Sequence, residues 1–267
     1  MNRTMTYTRA PLVLVLAEVR HPTMEVPTPE QMQAVKSALF DVLPLADEGV
    51  VKSLTVQADG RSDPTHEITQ EQFRSLRSRD SRSVLTFSRG TFSVETTDYK
   101  GWESFRVLLS RVLDQRVAIG LPDGVSRVGL RYVDEVRLPV RTDIAPNWSE
   151  WLNEQTAPPM PAGLNLTVAQ QQSVVLYETD RPGETLTLRY GAVNGLPAVS
   201  GPARPNAPGP GHYFLLDTDA AWQSVDSIPE FDPPRILEVY DRLHTDVSDL
   251  FESMLTPRVR KEVFGGQ

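Results

Sequence analysis

Hydrophobic and polar positions alternate most regularly over Val125–Pro139. Val128, Leu130, Tyr132, Val136 and Leu138 fall on one side of an extended chain, with Asp134 among them. Arg127, Gly129, Arg131, Val133, Glu135 and Arg137 fall on the other. A period of two predicts a strand with one face in a core and the other polar. Leu12–Val19 predicts a strand of another kind. Leu12, Leu14 and Leu16 alternate there with Val13, Val15 and Val19. Both faces are apolar, so this strand is expected near the middle of a sheet, covered on both sides for part of its length.

Helical spacing recurs in three places. Thr28-Pro29-Glu30-Gln31 supplies an N-cap, a proline at the first helical position and a glutamine at the capping-box position. Met32, Val35, Leu39 and Val42 follow as one stripe, and Pro44 ends it. After Gly101, Trp102, Phe105, Leu108, Leu109 and Val112 make a second stripe. Asp232-Pro233 opens the longest, through Ile236, Val239, Tyr240, Leu243, Val247, Leu250, Phe251 and Met254. Between these, Val50–Ala58, Ser83–Ser88, Thr91–Thr96, Asn165–Thr179, Thr185–Tyr190 and His212–Leu216 predict strands. Trp148–Gln155 predicts a short helix and Thr256-Pro257 a terminal helical turn. Residues 59–70 are polar and turn-rich, and Glu71–Arg79 fits neither template. Asn194–His212 holds Pro197, Pro202, Pro205, Pro208 and Pro210 with no periodicity, which predicts a long flexible loop dispensable for folding.

Glu135-Val136-Arg137-Leu138-Pro139 repeats Glu18-Val19-Arg20-His21-Pro22 at an offset of 117 residues, and Pro29 and Pro146 keep that offset. Similar elements follow each match. The chain therefore reads as an internal duplication, residues 1–124 and 125–267, packed as one globular unit. The expected fold class is α+β: two strand–helix–strands–helix halves forming a largely antiparallel sheet, with the long helices on one side and the other face partly open. A helix-grip arrangement, with the sheet wrapped round the last helix, is the alternative.

Charge and composition narrow the function classes. The formal net charge of −8 disfavours non-specific attraction to phosphate backbones and anionic membranes. The chain has no cysteine, which excludes disulfides, thiolate metal sites and a cysteine nucleophile. Arg3 and Arg9 before Ala10–Ala17 superficially resemble a signal peptide, but Glu18 and Arg20 follow at once, so a first strand is the better reading. Nothing approaches the ~20 apolar residues of a membrane span.

Four stretches together resemble a sporadically distributed family of bacterial proteins of about this length. They are Arg9-Ala10-Pro11-Leu12-Val13, Asp98-Tyr99-Lys100-Gly101-Trp102-Glu103-Ser104-Phe105, Arg127-Val128-Gly129-Leu130-Arg131-Tyr132-Val133-Asp134, and Leu243-His244 with Asp249-Leu250-Phe251-Glu252. The likeness spans nearly the whole chain, and Gly129–Val133 is its most specific part. It implies a bacterial, cytoplasmic protein and brings no activity, cofactor or catalytic residue with it.

No Walker loop, dinucleotide fingerprint, nucleophile elbow or HExxH pattern occurs, so no catalytic residue, metal or cofactor is assigned. Asp217-Thr218-Asp219 reads as a strand-end turn. Three sets of residues stand as binding candidates. Glu18, Arg20, Arg131, Glu135 and Arg137 share the face away from Val128, Leu130 and Tyr132, where they form either a polar recognition groove or exposed ion pairs. Tyr132, Asp134 and His244 would anchor a pocket between sheet and helices. Arg74, Arg77, Arg79, Arg82 and Arg89 make a local basic stretch. The leading expectation is a non-enzymatic binding or assembly module that uses the open sheet face for self-association or for another protein. The alternatives are a small-molecule sensor or enzyme using the pocket, and an accessory protein touching nucleic acid through the arginines.

Overall fold

The computed structural model describes residues 7–57, 65–139, 145–159, 166–199, 201–205 and 209–266, without the side chains of 51–57 and 65–69. β1 (Leu12–Arg20) leads to α1 (Pro29–Ala38), then to β2 (Leu45–Gln57), β3 (Thr65–Arg77), β4 (Ser83–Phe87), β5 (Thr91–Thr96) and α2 (Trp102–Ile119). β6 (Arg127–Val136) continues through a 3-10 turn, Trp148–Glu150, to β7 (Ser173–Glu178), β8 (Glu184–Gly195), β9 (Gly211–Gln223) and α3 (Pro233–Met254). A π-helical turn, Val259–Val263, follows. The strands form one nine-stranded sheet in the order β2-β3-β4-β5-β1-β6-β9-β8-β7, with every neighbouring pair antiparallel. The fold is α+β and dominated by its sheet.

Two adjacent rows of cross-strand neighbours define the faces. One runs Leu76, Leu85, Val94, Ala17, Leu130, Ala220, Leu186, Tyr177 and is apolar almost throughout. Its central members are buried in one cluster with Val35 of α1, Leu109 and Leu113 of α2, and Ile236, Tyr240 and Leu243 of α3. The row one residue along runs Ser75, Thr86, Ser93, Glu18, Gly129, Ala221, Thr185, Glu178 and is small or polar. Strand alternation puts it on the opposite face. A second core at the β6–β9 end joins Val136, Phe214, Leu216 and Trp148 to Met254, Val259 and Phe264.

Local chemistry sets the ends of these elements. Thr28 Oγ1 accepts from the Gln31 N–H at 3.3 Å, and Gln31 Oε1 accepts from the Thr28 N–H at 2.7 Å, closing the expected capping box. In the β7–β8 turn, Gly183 has φ +78°, and a Cβ there would lie 2.2 Å from Gln223 O. Only glycine fits that position.

Several elements differ from the sequence expectation. β9 does not end at Leu216 but runs to Gln223, so Asp217-Thr218-Asp219 lies inside a strand rather than in a turn. Thr218 shares the face of Leu216 and Ala220, while Asp217 and Asp219 point to the other face and meet arginines there. β3 includes Glu71–Arg77 and starts inside the stretch expected to be a polar turn. Glu71 and Gln72 are exposed on it, so polar residues there carry no burial cost. The strand expected over Asn165–Thr179 is confined to Ser173–Glu178, and the helix expected over Trp148–Gln155 is a single 3-10 turn.

Candidate functional site

Glu18, Arg20, Arg131, Glu135 and Arg137 do belong to the face of the small and polar row, and there they pair. Glu18 accepts from Arg20 and Arg127, each at 2.7 Å, and Arg127 reaches Asp219 at 3.3 Å. Arg131 grips Asp217 through two bonds of 2.7 Å. Arg137 donates twice to Glu135 and lies 4.8 Å over the Tyr213 ring. Sequence reasoning missed Arg127, Asp217 and Asp219 as members. Period-two alternation carried through β9 would have found the two aspartates. The result is a mutually neutralised sheet surface.

Between β8 and β9, residues 196–199 and 201–205 lie on this face as a strap. The Ala198 N–H donates to Glu135 Oε1 at 2.7 Å, and Val199 packs with Val13 and Val133. The Ala203 N–H donates to Glu95, the Arg204 N–H to Ser81 O at 2.6 Å, and Thr97 Oγ1 donates to Arg204 O at 2.6 Å. Burial raises the Glu95 carboxyl pKa above the usual carboxylate range. Described residues of the loop expected over Asn194–His212 thus dock on the sheet, with Val199 and Ala203 buried. Absence of periodicity did not mean absence of docking, because proline-rich backbone held by side-chain acceptors needs no repeat.

On the opposite face the structure joins Tyr132 to His244. Their Oη and Nδ1 atoms lie 3.0 Å apart, and Tyr99 Oη is 3.3 Å from Tyr132 Oη. Trp102 stacks on the imidazole at 4.4 Å and donates to Asp241, which also receives Arg106 through a bidentate pair. Burial holds His244 down at about 4, so it is neutral at pH 7. Asp134, next on the same strand face, is 6% exposed. Burial, with the Asp217 charge adding to it, pushes Asp134 up to about 8. Among the described residues no donor reaches its carboxyl group. Of the grouping expected from sequence, Tyr132 and His244 are joined in a packed polar network that Asp134 does not enter among the described residues, and a cleft beside α3 is lined by Val125, Trp222, Asp232 and Val239.

The basic stretch does not form one surface. Arg74 and Arg77 lie on opposite faces of β3, since they are three residues apart. Arg74 pairs with Glu48, Arg77 with Asp47, Arg82 with Asp80 and Asp98, and Arg89 with Glu25. Arg79 is exposed in the turn after β3.

The remaining feature is one of the sheet's two edge strands, β2 and β7. β7 ends the sheet, with Val174 67% exposed, Leu176 62% and Tyr177 41%. Val174 and Leu176 stand opposite Arg189 and Thr187 of β8, so they extend the polar face outward with apolar side chains. Sequence reading saw this strand but had no means of telling an edge strand from a central one. No described helix is long and apolar enough to cross a membrane. No family model matches the chain, and neither does any curated protein.

Proposed function

We propose that the protein is a non-enzymatic assembly module that self-associates through β7. The observation carrying this reading is the β7 edge, unpaired among the described residues, with Val174, Leu176 and Tyr177 exposed on it. An unpaired strand presents a row of N–H and C=O groups that templates another strand, and proteins ordinarily blunt such edges with lysine, proline or a bulge. Ser173–Glu178 contains none of these. The occupant is a second copy. Antiparallel self-pairing centred on Val175 sets each Val174 opposite the partner subunit's Leu176, giving an apolar cross-strand pair on both sides of the twofold. The sequence placed the association surface on the sheet face. The strap covers the middle of that face, so the free edge of the same face takes its place.

The same reading takes the chain as an internal duplication with its long helices on one side. Val15 and Tyr132 are 117 residues apart, pair with each other at the centre of the sheet, and are each flanked by a threonine, Thr96 beside Val15 and Thr218 beside Tyr132. Each threonine lies on the strand that precedes a long helix. The family resemblance adds a bacterial, cytoplasmic setting to the proposal.

Sedimentation velocity over a dilution series tests the reading. Wild type should shift from monomer towards dimer as concentration rises, and Leu176→Lys should stay monomeric with unchanged circular dichroism. A wild type that stays monomeric at high concentration overturns it.

A further inference from the structure

The two halves of the strap rest on acceptors of unlike kind. Residues 196–199 are fastened to Glu135, whose carboxylate also takes two bonds from Arg137, at 2.7 and 2.9 Å, so its charge is matched. Residues 201–205 are fastened to Glu95, which is 8% exposed and accepts from the Ala203 N–H. A Cβ on Gly201 would lie 3.5 Å from Glu95 Oε1 and 3.6 Å from Oε2, so the strap backbone itself lies across both oxygens.

Among the described residues no cation forms an ion pair with Glu95. β1 and β4 set apolar Leu16 and Val84 directly opposite it. β3 brings Arg77, whose charge reaches Glu95, but that guanidinium is engaged by Asp47 at 2.8 Å and by Pro202 O at 3.3 Å. The strap's described residues hold one titratable side chain, Arg204, and it makes no ion pair with Glu95.

A carboxylate sealed beneath backbone loses its water, and one neutral N–H does not offset that loss. Protonation removes the charge and still leaves a carbonyl oxygen to accept from Ala203. Lifting the strap returns water to the carboxylate. The burial that docking imposes raises the Glu95 carboxyl above its ordinary range. The docked state therefore keeps a proton that the lifted state releases, and docking weakens as pH rises through that window.

We propose that residues 201–205 are a pH-dependent flap, held on the sheet while Glu95 is protonated and lifting when it ionises, with 196–199 staying fastened at Glu135. Lifting withdraws Pro202 from the cleft it shares with Phe73 and Thr86, and so opens that part of the face. The flap is independent of self-association through β7.

Amide hydrogen exchange of the full chain, read residue by residue by NMR, tests the proposal. The protection of Ala203 is divided by that of Ala198, which cancels changes in global stability. In wild type this ratio should fall severalfold from pH 5 to pH 8. The Glu95 carboxyl carbon shift should titrate with the same midpoint as that fall. Glu95→Gln, uncharged throughout and still an acceptor, should hold the ratio at the wild-type acid value. A wild-type ratio that does not change with pH overturns the flap. A midpoint apart from that of Glu95, or the same fall in Glu95→Gln, overturns its assignment to this carboxyl group.

Discussion

Glu135 Oε1 accepts from the backbone N–H of Ala198 at 2.7 Å, and that contact fastens the segment after β8 to the central strand β6. With Val199 buried beside Val13 and Val133, the strap acts as core on the second face of the sheet. Replacing residues 196–205 with a Gly/Ser linker is therefore expected to destabilise well beyond the small change that loop entropy alone allows. Val199→Ala alone should cost about 1–2 kcal/mol at ~0.8 kcal/mol per buried CH₂ group. Urea unfolding checks both variants, and an unchanged midpoint for the linker variant contradicts a docked strap.

Asp134 gives stability a defined dependence on pH. Its native pKa is pushed up to about 8 by burial, whereas an unfolded aspartate titrates near about 3.9. Between those values the native state keeps a proton that the unfolded state has released, so this group makes stability fall as pH rises. Asp134→Asn should stabilise at pH 8 by on the order of a few kcal/mol and much less at pH 5. Unfolding midpoints at the two pH values provide the check, and a pH-independent difference from wild type would refute the assignment.

His244 acts in the opposite sense. Burial lowers it to about 4, below the about 6.5 of an unfolded histidine. As pH falls through that window the unfolded chain takes up a proton and the native state does not, so stability declines. His244→Gln should cost about 1–2 kcal/mol at pH 7 through the lost Tyr132 bond and Trp102 stack, with the penalty shrinking at pH 5. A penalty that grows on acidification would show that His244 is charged in the fold.

Arg116 is buried on α2 against Met24 and the Phe87 ring, and among the described residues no carboxylate lies within 4 Å of it. Burial alone lowers its pKa, to about 10. A buried charge without a counter-charge is a burden on stability. Arg116→Met is expected to be neutral or stabilising by about 1–3 kcal/mol. Thermal denaturation checks it, and a large loss would reveal a partner role for the guanidinium.

Much of the fold was legible because it is carried by short-range patterns. Thr28 and Gln31 announced α1, and the alternation from Val128 to Tyr132 announced the central strand and the correct side for Arg131 and Glu135. What escaped was set by long-range pairing. Asp217 and Asp219 looked like a turn because their arginine partners come from β6, more than eighty residues earlier. The strap looked free because its hydrogen-bond acceptors, Glu95 and Glu135, lie in other strands. The exposure of β7 is likewise a property of strand order, which local alternation does not encode.

The most direct test of self-association uses the absence of cysteine in this chain. Directly opposed residues of an antiparallel pair have Cα atoms about 4.5–5.5 Å apart, within disulfide reach. Val175→Cys at the centre of a β7–β7 pair should then form a covalent dimer on mild oxidation. Tyr177→Cys, which would face the partner subunit's Ser173, should not. Non-reducing electrophoresis reads the outcome. Dimer from Val175→Cys alone is the predicted result; monomer from both variants, or equal cross-linking of both, contradicts pairing through β7.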